Sequence, residues 1–160
     1  MADCGFLNTC GWFRYRAAAI IIEDGHVLMA KNEKEPYYYS VGGGVHQNET
    51  AEAAVCREVL EETGVEYEIE RLAYIHENFF IGIGNLEGVP CHEVSFYFLM
   101  KPRGTRELPS NNSHGIHGDR EHMVWLPVKD FADFYAYPSF FADKLINMKK
   151  SVEHVVTKEY

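Results

Sequence analysis

The sequence predicts an α/β or α+β sandwich built as a single domain, on three observations. Stretches of β-forming residues alternate with stretches of helical pattern. One helix is delimited at both ends, by Thr50 as N-cap and by Gly64 where a left-handed C′ residue is expected. Finally, 160 residues with 46% hydrophobic content are enough for one real core and require no second domain.

Residues Met1 to Gly11 read as an irregular lead-in, with Trp12, Phe13 and Tyr15 either anchoring it on the core or lining a pocket. Arg16 opens a strand, Ala17 to Glu23, and Asp24-Gly25 is a two-residue hairpin signal before a second strand, His26 to Lys31. A charged loop, Asn32 to Pro36, leads to the Tyr37-Tyr38-Tyr39 strand, which delivers Gly42, Gly43 and Gly44. Three glycines there mean either a tight turn or a backbone free to approach a ligand or metal closely.

In the helix that follows, Ala51, Val55 and Val59 recur at i+4 steps and should face the sheet, with Cys56 and Leu60 at the edge of that stripe. Val65 to Ile75 alternates as a strand does, and Glu77 to Phe80 follows it. Gly82 to Pro90 is a glycine-rich turn, and Glu93 to Lys101 is the clearest strand of the chain. A long polar loop, Pro102 to Glu121, comes next; His114, His117 and His122 read as exposed polar residues. Met123 to Leu126 forms a short strand, Pro127 opens a helical turn, and Ser139 to Lys149 a final helix ahead of a loose tail.

The chemistry concentrates at the end of the first helix. Glu58, Glu61 and Glu62 stand at i, i+3 and i+4, where like charges cost roughly 0.2–0.5 kcal/mol per pair. Anions in a last turn also oppose the helix dipole, by about 0.3–1 kcal/mol each. Local stability therefore does not favour this arrangement. A hard divalent cation, Mg²⁺ or Mn²⁺, would reverse both penalties, because it takes carboxylate oxygens and keeps waters and substrate phosphates in its other positions. A solvated acidic face with Arg57 as partial counter-ion is the competing reading.

Gly43, five residues, Glu49, seven residues, then Arg57-Glu58-Val59-Leu60-Glu61-Glu62-Thr63-Gly64-Val65 follow one spacing. At every fixed position it resembles the box of the Nudix hydrolase family, G-x5-E-x7-R-E-U-x-E-E-x-G-U with U aliphatic. The flanks are similar to a Nudix domain from about Arg16 to about Lys149 within a single domain of 1–160. The resemblance implies an α/β/α sandwich with a mixed β-sheet. It also implies water attack on the diphosphate linkage of a small nucleoside diphosphate derivative. Mg²⁺, or Mn²⁺, would be held by Glu58, Glu62 and Glu61, with the Gly42 carbonyl and Glu93 as further ligands. Gly43, Glu49 and Gly64 become structural members of the box, and Arg57 with Glu49 braces the loop against the helix.

Glu61 and Arg57 are the catalytic candidates within the box. The final proton acceptor lies outside it, with Glu121 nominated beside Glu93, Asp119 and Glu77. Tyr39 and Phe79 are candidates to stack on a nucleobase, as are Phe80 and Trp12, against a competing role in packing. Val41 stands where many family members carry Pro, a departure that removes no ligand side chain. A nucleotide-binding regulatory module without catalysis is the alternative, opposed by the presence of every box carboxylate. An isomerase would need a reactive thiol such as Cys91 near the metal.

Composition narrows the partners. A formal charge of −9 and no basic stripe argue against broad nucleic-acid binding and against a 5′-end RNA-processing enzyme, while a small nucleotide remains compatible where metal screens the site. No apolar run is long enough for a bilayer and no signal-peptide pattern opens the chain, so the expected location is cytoplasmic without a membrane partner. Cys4, Cys10, Cys56 and Cys91 are too scattered for a disulfide framework or a zinc pair. A homodimer fits the family pattern, though no residue specifies an interface.

Overall fold

The computed structural model describes residues 1–109, 112–114 and 120–160, the middle segment by its backbone alone. The nomination of Asp119, the surface reading of His117 and the side chain of His114 lie outside the described residues. The chain enters on β1 (Gly5–Asn8) and turns into β2 (Gly11–Ile20), an antiparallel hairpin pairing Asn8 with Gly11. This corrects the irregular lead-in. All four β1 residues are exposed, so no burial pattern marks the strand, and its turn is set by Asn8 Oδ1 accepting the Cys10 N–H at 2.8 Å.

The interruption at Ile21 separates β2 from β3 (Ile22–Glu23). Asp24 and Gly25 then take φ of 48° and 71°, the positive pair of a type I′ turn, and β4 (His26–Asn32) returns. β5 (Tyr38–Ser40) leads to the glycines, which form β6 (Gly42–Gly44), paired antiparallel with β2 from Ala18↔Gly42 to Arg16↔Gly44. They are a short strand and not a tight turn. A Cβ on Gly42 would lie 2.4 Å from the Ala17 carbonyl oxygen, so close approach to β2 is what demands glycine.

Helix α1 (Ala51–Thr63) has the predicted limits and buries Ala51, Ala54, Val55, Val59 and Thr63, while Cys56 and Leu60 are exposed. β7 (Ile69–Ile81) is one continuous strand, and β8 (Pro90–Met100) returns antiparallel after a 3₁₀ turn at Gly84–Leu86. β9 (Asn112–His114) and β10 (Arg120–Pro127) follow, then a 3₁₀ segment, Val128–Asp133, opened by Pro127 as expected. β11 (Ala136–Tyr137) precedes α2 (Phe141–Lys144), and β12 (Glu153–Glu159) closes the chain.

The expected final helix is thus a single turn, and the expected loose tail is a strand parallel to β7. One turn suffices to bury Phe140, Phe141 and Leu145, which frees the following residues to reach the β7 edge.

One sheet runs β1-β2-β8-β7-β12 with β6 also on β2; the other runs β11-β5-β4-β10-β9 with β3 on β4. Both are mixed: β2 with β8, β7 with β12 and β11 with β5 are parallel. Alternation along β2 sends Ala17 and Ala19 into a core under α1, and Ala18 and Ile20 into a second core with Phe131, Phe140 and Phe141. The layered α/β arrangement follows, and α1, β6 and the ends of β5, β7, β8 and β10 surround one open cleft.

Candidate active site

The cleft is assembled from α1 outward. Thr50 Oγ1 accepts the Ala53 N–H at 3.1 Å and Gly64, at φ 75°, returns its N–H to the Leu60 carbonyl, so both ends of the helix are capped. With the apolar stripe committed to the core, Arg57, Glu58, Glu61 and Glu62 line the cleft.

Arg57 is the hub. Its Nε and Nη2 donate to the two Glu49 carboxylate oxygens at 2.8 and 3.0 Å, Nη2 also to the Gly44 carbonyl at 3.1 Å, and Nη1 to Glu58 Oε1 at 2.6 Å. Glu49 in turn accepts the His46 N–H at 2.9 Å. The hydrogen bonds from Arg57 hold the Glu49 carboxyl far below the usual range, at about 2, and Glu49 raises Arg57 in return. Helix, strand β6 and the turn between them are tied through one guanidinium. Gly43 completes the fit, since a Cβ there would fall 2.4 Å from the Glu58 carboxylate.

Glu62 accepts the Gly42 N–H at 2.9 Å. Burial first, then the charges of Glu121 and Glu58, push its carboxyl well above the usual range, against the opposing effects of Arg16 and the Gly42 N–H. The buried Glu121 accepts a hydrogen bond from the Tyr39 hydroxyl, which desolvation and that bond make a weaker acid. Glu93, the fourth residue of β8, accepts the Ser95 hydroxyl at 3.0 Å and faces Arg14 at 3.6 Å. Beneath them Arg16, 7% exposed, donates to the Ser40 carbonyl at 2.8 Å and its hydroxyl at 3.1 Å.

The structure therefore brings Gly42, Gly43, Arg57, Glu58, Glu61, Glu62, Glu93, Glu121 and Tyr39 to the wall of one cleft of about 930 Å³. Glu49 braces that wall and Gly64 ends the helix behind it. Glu61 has only a 3.5 Å approach to Arg57 and is 58% exposed. Phe79 and Trp12 are elsewhere: they line a separate apolar groove in which Phe79 stacks on His92 at 4.3 Å. Cys91 lies in that groove too and not on the cleft wall, its thiol pushed up by burial. Glu77 pairs with His154 at 2.7 Å and is not on the cleft wall. Sequence reasoning passed over Arg16, Ser40, His76, Asn78 and Tyr97. A cation heading the apolar run of Ala17 to Ile22, two residues after Arg14, is the available signal for Arg16.

Among the described residues, no three His, Cys, Asp or Glu side chains stand ready-made around a common ion position. Glu58 is turned to Arg57 and Glu62 to Gly42. The donor set nevertheless fits a hard divalent cation: Glu58 and Glu121 crowd the buried Glu62 carboxyl and raise its proton affinity, beside a glycine strand with no side chain to block approach.

Residues 13–144 match the model of the NUDIX domain. A MutT-like protein of Streptomyces ambofaciens is 31% identical over 100 residues, 62% of this chain; the chain spans 58% of that relative's length. Among solved structures, a MutT NUDIX hydrolase from Burkholderia pseudomallei is similar at 26% identity, TM-score 0.52, over 72% of this chain and 84% of its own. A MutT protein from Bacillus halodurans shares the fold at TM-score 0.67 and 14% identity, over 91% of this chain and 90% of its own.

Proposed function

The chain belongs to the Nudix hydrolase family, and from that premise we propose that it is a divalent-metal-dependent pyrophosphohydrolase that cleaves the diphosphate linkage of a small nucleoside diphosphate derivative. The observation that carries this reading is the gathering of Glu58, Glu61, Glu62 and Glu121 on the wall of one cleft beside the glycine strand, with Glu62 accepting the Gly42 N–H at 2.9 Å. Acids gathered this way at the end of a helix, where the dipole opposes them, are a poor choice for stability and a good one for holding a cation.

Glu58 and Glu62 would hold Mg²⁺ or Mn²⁺, with Glu61 and the Gly42 carbonyl nearby and Glu93 as a further ligand once released from Arg14. Such an ion neutralises phosphate charge and lowers the pKa of a bound water. Arg57 positions Glu58 through Nη1 while its other nitrogens keep β6 and Glu49 in register, so its contribution is orientation. Arg14 and Arg16, which line the same cleft, supply positive charge for the anionic linkage. Glu121, buried and oriented by Tyr39, is the group we assign to take the proton of the attacking water.

The test is a panel of nucleoside triphosphates, dinucleoside polyphosphates, ADP-ribose and nucleotide sugars incubated with Mg²⁺ and scored for phosphate-containing products. Turnover of one class, reduced by about 10²-fold or more in Glu121→Gln, is the expected result. Binding of a panel compound without any turnover would instead support a regulatory module.

A further inference from the structure

Strand β7 brings to the cleft a second polar arrangement that the hydrolytic chemistry does not use. His76, Asn78 and Phe80 alternate along β7 and all three line the cleft. His76 is 3% exposed, packed edge-on against Phe140 at 4.8 Å. Its Nε2 lies 2.8 Å from Thr157 Oγ1 of β12, and Thr157 donates its one hydroxyl proton to Asn78 Oδ1 at 2.7 Å. Having given that proton away, Thr157 can meet His76 only as an acceptor, so Nε2 carries the hydrogen and Nδ1 is a bare lone pair. Burial, the largest effect on the ring, favours the neutral form and lowers its pKa to about 4.

His76 Nδ1 is buried with no hydrogen-bond partner among the described residues. A buried acceptor left unmatched is costly, and binding sites are where such groups find their partner. Asn78, its oxygen taken by Thr157, keeps its amide N–H groups as donors. An acceptor and a donor two residues apart on one strand, with Phe80 beside them, suit the edge and face of a planar heterocycle. Tyr37, Tyr135 and Tyr137, packed on one another at 5.3–5.7 Å, line the same cleft. β12 lies beyond residues 13–144, so Thr157, the residue that joins His76 to Asn78, stands outside the matched family segment.

We propose that His76 and Asn78, locked by Thr157, form the subsite that reads the nucleobase edge of the substrate, with His76 Nδ1 accepting an N–H of the base. This rests on the hydrolytic reading above, and two separate measurements distinguish their failures. ¹⁵N NMR of the imidazole in the intact protein should show the Nε2–H tautomer. Its Nδ1 resonance should move on addition of the nucleoside monophosphate of the best substrate, and not with inorganic pyrophosphate. In kinetics, His76→Phe should raise KM about tenfold with kcat little changed. His76→Asn, whose oxygen falls near the Nδ1 position, should restore most of the loss, and Thr157→Val should weaken binding by releasing the tautomer.

A proton on Nδ1, a resonance that ignores the nucleotide, or an unchanged KM in a folded His76→Phe protein would each overturn the subsite and leave Nδ1 to a buried water, with hydrolysis intact. No turnover of any panel compound by the unaltered protein would overturn the hydrolytic reading and this inference with it.

Discussion

A methyl group on residue 43 would land 2.4 Å from the Glu58 carboxylate, so Gly43→Ala moves Glu58, not the strand. Misplacement on that scale is expected to lower kcat by about 10²-fold while thermal melting shows the fold retained; unchanged kcat would mean Glu58 has no fixed task. Glu49 makes a different prediction, about pH. Its folded pKa, about 2, is depressed below that of the unfolded chain by Arg57, so its contribution is fully present above the usual carboxylate range and is lost as pH falls through that range to about 2. Urea titrations between pH 6 and 2.5 should show a stability loss that Glu49→Gln lacks; parallel curves would contradict it.

At the scale of elements, α1 and β12 are opposites in how they are specified. The helix is marked by local chemistry: Thr50 caps it, Gly64 ends it, and Thr50→Ala should cost about 1 kcal/mol in denaturant midpoint analysis. No local signal announces β12. Val155 is its buried apolar anchor, and its backbone completes the β7 edge, so pairing with a partner some 80 positions away specifies it. Val155→Ala should therefore lower stability by about 1–3 kcal/mol, and a smaller effect would mean the strand is held by its backbone alone. The same distinction explains β1, whose exposed Gly5-Phe6-Leu7-Asn8 is a strand because β2 offers an edge. It also explains the glycines: three residues with no side chains look like a turn until the nearby Ala17 and Ala18 backbone makes them a strand.

For the whole molecule, the box acids were legible because their spacing is periodic and their mutual repulsion is costly on a bare helix. Glu93 is legible only as an acid at a strand start and Glu121 only as an acid of the long loop, yet the sheets deliver both to the same cleft. The side to which Phe79 points is not legible in the sequence because it depends on register: His76, Asn78 and Phe80 line the cleft, while Phe79 meets His92 in the apolar groove. Arg16, Ser40 and Tyr97 escaped notice since a polar cluster below a sheet is formed by distant segments.

The account depends on these gathered carboxylates taking up a divalent ion, and a titration of Mn²⁺ followed by water-proton relaxation tests that most directly. The unaltered protein should bind Mn²⁺ saturably and release it to excess Mg²⁺, with affinity at least about tenfold weaker in Glu62→Gln. Equal affinity in a folded Glu62→Gln protein, or no saturable binding by the unaltered chain in the presence of a nucleotide, would contradict it.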